Sequence, residues 1–412
     1  MMSSLFKLKT VFVLAALLAA LTLCASCSRG NLPAPEGTAR PTKEAIVITE
    51  PTALPTEIPT PAPTEEPYEE RVVREALESM TLDEKLGQML LFGVSGKDEP
   101  GADSAALLSE FPVGNLILNG ANIKKNDGFT AAGNLLRSIN EEYPLDVPRL
   151  TAIDVEGGSV VRFDWEPEIP SALELGTMDP DEVRSLFRSV GERLVGTGIR
   201  LDLAPVFDAA EDPSASFMGD RIISPDIGVI KTIGGAVIEG LREAGCLSCA
   251  KHFPGHGGTE ADSHETTPTV LRSREELMEY DIAAFAGAID SGVDCVMTAH
   301  VLYPALDPEN VATLSPVIIT DVLRGELGFS GVVISDDMLM AGVGSGSDFD
   351  PAIGFIKAGG DMLLCTADTA RQREIIRALR LSVDGGILTV SRIDESVGRI
   401  LRLKLKAGVW QP

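Results

Sequence analysis

The chain has 412 residues, 44% of them hydrophobic and 23% charged, the balance of a folded protein with a large core. Its formal net charge is -26, which disfavours polyanionic partners and argues against nucleic acid binding.

The N-terminus reads as a targeting segment. Lys7 and Lys9 precede an apolar run from Val11 to Leu23, too short for a comfortable membrane span. The run ends in Cys24-Ala25-Ser26-Cys27, where small residues before Cys27 resemble a bacterial lipoprotein cleavage site. We therefore expect residues 1–27 to be a signal peptide and lipid-attachment region, with Cys27 carrying the lipid. The expected location is outside the cytoplasm, anchored to the cell membrane or secreted. Residues 28–67 repeat Pro-Thr-Glu-like units and bury no core, so an extended, solvated linker is expected there.

Residues 68–412 alternate apolar strand-like runs with amphipathic helical ones. A capping-box pattern, Thr81-x-x-Glu84, opens an early helix. Eight strands are expected: Met89 to Val94, Gly114 to Leu118, Leu150 to Asp154, Arg200 to Pro205, Cys246 to His252, Cys295 to His300, Val332 to Asp336 and Met362 to Thr366. Most are continuously apolar, as parallel strands covered on both faces are. Helices open at Asp179-Pro180, Ser224-Pro225-Asp226 and Ser273-Arg274, and end near Gly198, Gly245 and Gly292. The final helix, Ile393 to Ala407, carries Arg399, Arg402, Lys404 and Lys406, which read as a solvated basic face. Cys246, Cys249, Cys295 and Cys365 fall in apolar runs and read as small buried residues.

Eight strand-helix units give an α/β fold, a single (β/α)8 TIM-type barrel. The rival is a doubly wound open sheet, whose glycine-rich phosphate turn is missing here. In a barrel the site lies at the strands' C-terminal ends. Polar clusters fall there on five successive strands: Asp154-Val155-Glu156-Gly157-Gly158 with Arg162, Phe207-Asp208 with Arg221 downstream, Lys251-His252, Thr298-Ala299-His300, and Ser335-Asp336-Asp337. The fifth strand runs into a loop holding His256 and His264. A His/Asp metal site stays open, although the prolines and glycines between His252 and His256 deny that pair a helix. No Gly-x-Ser-x-Gly elbow follows a strand. Charged hydrogen-bonding groups, a carboxylate and an acid suit a glycosidase.

These motifs resemble glycoside hydrolase family 3. The resemblance rests on Lys251-His252-Phe253-Pro254-Gly255-His256-Gly257, Asp262-Ser263-His264 and Ile334-Ser335-Asp336-Asp337. It extends to Asp154-x-Glu156-Gly157-Gly158 with Arg162-Phe163, Met297-Thr298-Ala299-His300-x-x-Tyr303-Pro304 and Thr313-Leu314-Ser315-Pro316. It covers nearly all of residues 75–410 and is most similar to the bacterial β-N-acetylglucosaminidases. The resemblance implies a retaining exo-glycosidase acting on terminal β-linked N-acetylglucosamine, as in peptidoglycan fragments or chitooligosaccharides. It implies Asp336 as nucleophile, Asp337 as a supporting residue, and His264 paired with Asp262 as acid/base. Asp154, Arg162, Arg221, Lys251 and His252 would bind the sugar. No cofactor or metal is implied, and a monomer is expected. The chain departs from the family at Val155, Ser159 and the Ile222-Ile223 that follows Arg221, which bears on fine specificity. Three alternatives remain: a β-glucosidase, a phosphorylase, and a non-catalytic sugar-binding lipoprotein. The first usually carries a second α/β domain supplying the acid/base, and none is expected after this barrel.

Overall fold

The apolar runs of the sequence become a ring of parallel strands. The computed structural model describes residues 66–123, 127–259, 263, 266–343, 350–366 and 368–412. The signal segment, Cys27 and the linker up to residue 65 lie outside the described residues. Thr64–Pro412 is one compact unit.

The eight barrel strands are β1 Leu90–Gly93, β2 Asn115–Ile117, β3 Leu150–Ile153, β4 Leu201–Asp202, β5 Leu247–Phe253, β6 Cys295–Thr298, β7 Val332–Ser335 and β8 Leu363–Cys365. They pair in parallel in chain order, β1 to β7, and β8 pairs with β1. A parallel bridge between Ile334 and Met362 joins β7 to β8 and closes the ring. Each expected strand is therefore present, and the open doubly wound sheet is overturned. The described residues of all eight strands are buried, because helices cover the outside and side chains fill the inside. Burying each large apolar side chain of these runs contributes roughly 1.5–3 kcal/mol.

Helix punctuation follows the local chemistry. Thr81 and Glu84 form the capping box, with the Thr81 amide 2.7 Å from Glu84 Oε2. Asp179 caps Pro180–Thr197, which ends at Gly198 with φ of +96°. Asp226 caps Ile227–Glu243, and Ser273 caps the helix that starts at Arg274. That last helix contains a π turn, Leu277–Asp281, before continuing as Ile282–Asp290. The four cysteines of the barrel are buried free thiols, as their apolar surroundings suggested.

The final helix, Val390–Lys406, corrects one expectation. Its basic residues do not form a solvated face. Lys404 is fully buried, and its Nζ donates to Gln88 Oε1 at 2.6 Å, Pro148 O at 2.8 Å and Gly114 O at 2.9 Å. Those acceptors immediately precede β1, β2 and β3, so the lysine seals the N-terminal end of the barrel. Arg399 pairs with the buried Asp361 at 2.9 Å. Only Arg402 and Lys406 remain largely exposed, and both hold acidic partners, Glu70 and Asp294.

Candidate active site

The turn after β3 places two carboxylates side by side. Gly157 and Gly158 both have positive φ, and a Cβ on Gly157 would lie 2.1 Å from the Pro170 carbonyl oxygen. Only glycine suits that close approach. The Val155 amide is held by Asp202 Oδ1 at 2.9 Å. The tight turn lets Asp154 and Glu156 converge on one ammonium. Lys251 Nζ lies 2.8 Å from Asp154 Oδ1 and 2.6 Å from Glu156 Oε1. Arg162 meets Asp154 Oδ2 at 3.0 Å. Arg221 grips Glu156 with both arms, Nε at 2.7 Å and Nη2 at 2.8 Å.

Charge balance keeps this cluster ionised. Burial pushes the Asp154 and Glu156 carboxyls up, but Lys251 with Arg162 or Arg221 outweighs burial and holds both below the usual range. Burial likewise pushes Lys251 down, and the two carboxylates more than reverse it. The result is a rigid, buried array of charged hydrogen-bonding groups at the barrel mouth. Such arrays suit the recognition of sugar hydroxyls, whose donors and acceptors must be met at fixed positions.

His252 follows Lys251 through a cis peptide and belongs to a second unit. Its Nδ1 lies 2.8 Å from Asp208 Oδ2, and its amide donates to Asp208 Oδ1 at 3.0 Å. Asp208 is fully buried; burial raises its carboxyl, but His252 overcompensates. A carboxylate at Nδ1 fixes the ring and holds the imidazole proton on that atom. Asp208 Oδ1 also accepts the His256 amide at 2.6 Å. One carboxylate thus organises both histidines of the strand-5 segment.

Two adjacent aspartates end β7, and their environments differ. Asp337 Oδ2 accepts the Thr366 hydroxyl, while Oδ1 accepts the amides of Leu339 at 3.1 Å and Thr366 at 3.2 Å. Burial pushes the Asp337 carboxyl up. Asp336 accepts the Asp337 amide at 2.8 Å. Burial raises it too, but His252, His300, that amide and Lys251 outweigh burial and leave Asp336 below the usual carboxylate range. His300 itself is buried, with Nδ1 2.8 Å from Thr313 Oγ1 and Nε2 3.1 Å from the Asp337 carbonyl oxygen. Asp337 therefore braces the β7–β8 junction, and Asp336 is the carboxylate tuned to stay charged.

Of the residues expected from sequence, Asp154, Arg162, Arg221 and Lys251 form one ion-paired cluster, and His252 and Asp336 lie in the field around it. Asp262 and His264 lie outside the described residues. Both ring nitrogens of His256 are occupied by hydroxyls, Thr259 Oγ1 at 3.0 Å and Ser263 Oγ at 2.9 Å. That arrangement disfavours His252 and His256 as a metal pair, and the described residues hold no group of three or more metal-ligating side chains. Glu156 and Asp208 belong to the site; the sequence places both in the strand-end clusters but assigns neither a role. The signal was present in each: Glu156 shares a glycine turn with Asp154, and Asp208 ends the strand-4 run. A cavity of about 1450 Å³ lies to one side, lined by Phe129, Phe163 and Trp165 among others; it does not include the charged cluster.

Known proteins share this architecture. The sequence matches the N-terminal domain of glycosyl hydrolase family 3 over residues 81–403. β-Hexosaminidase A of Pseudoalteromonas piscicida is 30% identical over 370 residues, covering 79% of this chain and 61% of that protein. A β-hexosaminidase of Chromobacterium violaceum is 37% identical over 268 residues, covering 63% of this chain and 73% of that protein. In structure, a family 3 β-N-acetylglucosaminidase from Paenibacillus sp. str. FPU-7 superposes with a TM-score of 0.75 at 35% identity, over 80% of this chain and 63% of that one. The β-N-acetylhexosaminidase of Beutenbergia cavernae gives 0.72 at 30% identity, over 79% of this chain and 99% of that one. The chain thus spans less than two thirds of the Pseudoalteromonas and Paenibacillus relatives and nearly all of the Beutenbergia one. A family match that runs from the first capping box into the last helix agrees with the closed barrel and its charged mouth: the chain belongs to glycosyl hydrolase family 3.

Proposed function

We propose that the protein is a retaining exo-β-N-acetylhexosaminidase acting on terminal N-acetylglucosamine. The observation that carries this reading is the pairing of the buried Asp154–Lys251–Glu156–Arg221 cluster with Asp336, a carboxylate kept ionised beside His252. The similar hexosaminidases and N-acetylglucosaminidases described above support the same substrate class. Arg162 and Lys251 would donate to sugar oxygens, with Asp154 and His252 Nε2 accepting. Asp336 would attack the anomeric carbon and form a glycosyl ester as the aglycone oxygen departs. His264, oriented by Asp262, would give that oxygen its proton. The neutral imidazole would then take a proton from water, whose hydroxide opens the ester and regenerates Asp336.

The test uses an aryl β-N-acetylglucosaminide with wild type and Asp336→Ala. The wild type should release the phenol, and the variant should lose at least about 10³-fold in kcat. Turnover of D336A at the wild-type rate would end the assignment. Running wild type with and without phosphate, and with an aryl glucoside, separates hydrolysis from phosphorolysis and hexosaminidase from glucosidase.

A further inference from the structure

Ser263 is 1% exposed and is held from two sides. Its Oγ lies 2.9 Å from His256 Nε2, on the strand-5 side. Its carbonyl oxygen accepts the Gly342 amide at 2.9 Å, from the turn that follows β7. Gly342 makes this approach because it lacks a side chain; a Cβ there would sit 2.7 Å from the Ser263 oxygen. The Gly342 carbonyl in turn accepts Thr267 Oγ1 at 3.2 Å, so the same glycine ties the loop twice.

His256 is itself rigid. Its amide is bound to Asp208, and the residue is 2% exposed. Thr259 Oγ1 donates to the His256 carbonyl at 3.2 Å, which leaves that hydroxyl oxygen to accept Nδ1–H. Burial pushes the ring's pKa down and keeps it neutral, so Nε2 accepts the Ser263 hydroxyl proton. The Thr259 carbonyl accepts the Phe217 amide at 3.0 Å, anchoring this corner to the strand-4 loop. In sequence, Ser263 stands between Asp262 and His264.

We propose that His256 and Gly342 act as a clamp on Ser263, the residue between Asp262 and His264, and that proton donation to the leaving group depends on this clamp. His256 is thus a positioning residue that touches no substrate. The proposal rests on the acid/base reading of Asp262 and His264 given above. Its consequence is specific, because proton donation matters only when the leaving group needs a proton. Dinitrophenolate departs unaided, whereas a sugar alkoxide does not.

The experiment compares kcat/KM, which reports only the steps up to departure of the leaving group, on a dinitrophenyl β-N-acetylglucosaminide and on a β-linked N-acetylglucosamine disaccharide. The variants are His256→Asn, His256→Gln, Gly342→Ala and His264→Ala, each checked for wild-type circular dichroism. Asparagine reproduces the Nδ1 position but is too short for Ser263; the glutamine amide reaches the Nε2 position. H256N and G342A should lose at least about tenfold on the disaccharide and less than about threefold on the dinitrophenyl substrate. H256Q should recover most of the disaccharide rate. Equal losses on both substrates, or H256Q behaving like H256N, would overturn the clamp. His264→Ala separates this from the parent reading. Leaving-group dependence in H264A without any in H256N or G342A sinks the clamp alone. Its absence in H264A sinks the acid/base assignment and the clamp with it.

Discussion

At the residue scale, Asp281 shows how the π turn places a titratable group under the active-site loop. It is fully buried, with Oδ2 2.6 Å from Arg272, while Oδ1 has no hydrogen-bond partner among the described residues. Its side chain fills the space where Gly255 would carry a Cβ, at 2.8 Å. Burial raises its carboxyl to about 6 despite Arg272, and Asp208 adds to the rise. Because the folded pKa exceeds the unfolded one, this group's contribution is fully present below pH 4 and is lost as pH rises through 6. The loss amounts to about 3 kcal/mol at 1.36 kcal/mol per pKa unit. The carboxylates held low, such as Asp154 and Asp208, titrate in the opposite sense but cancel when two variants are compared. Urea unfolding of wild type and Asp281→Asn at pH 4 and pH 7 should show the wild type losing that much relative to the variant. Parallel pH profiles would remove Asp281 from this role.

At the element scale, the strands were legible and the seal of the barrel was not. Runs such as Leu90–Gly93 and Val332–Ser335 are continuously apolar, so burial on both faces is written into their composition. Caps at Thr81, Asp179, Asp226 and Ser273 are local chemistry and were readable for the same reason. The pairing of His252 with Asp208, or of Arg221 with Glu156, joins residues 44 and 65 apart, and no local pattern encodes such a contact. Lys404 misled the reading because a lysine on an amphipathic helix ordinarily points to water. Here three acceptors at the ends of β1, β2 and β3 substitute for that water. Burial, with Arg149 nearby, holds its pKa well below the usual lysine range. Lys404→Met preserves volume but strands all three acceptors, so it should cost about 3 kcal/mol or more in chemical unfolding. The substitution lies at the end of the barrel opposite Asp336, so kcat per folded molecule should stay at the wild-type value. A variant as stable as wild type would show that the acceptors find other partners.

At the scale of the whole molecule, catalysis and attachment should separate cleanly. Thr64–Pro412 is compact by itself, and the family match begins at residue 81. A polypeptide beginning at residue 66 should therefore fold and match the full chain's kcat on the aryl substrate. Retention at a membrane needs a different source. A formal charge of -26 is repelled by an anionic bilayer surface, so electrostatic adsorption works against this protein. The described residues contain no helix long and apolar enough to cross a membrane. We propose acylation at Cys27, where the sequence resembles a lipoprotein cleavage site, as that source; two or more acyl chains suffice for stable anchoring where one does not. In bacterial cells expressing the full chain, activity should sediment with membranes and resist a high-salt wash. Cys27→Ser should move that activity to the soluble fraction with kcat unchanged, since residue 27 lies far outside the barrel's sequence. Activity that salt alone strips from the pellet, or that stays there in C27S, would place the attachment elsewhere than Cys27.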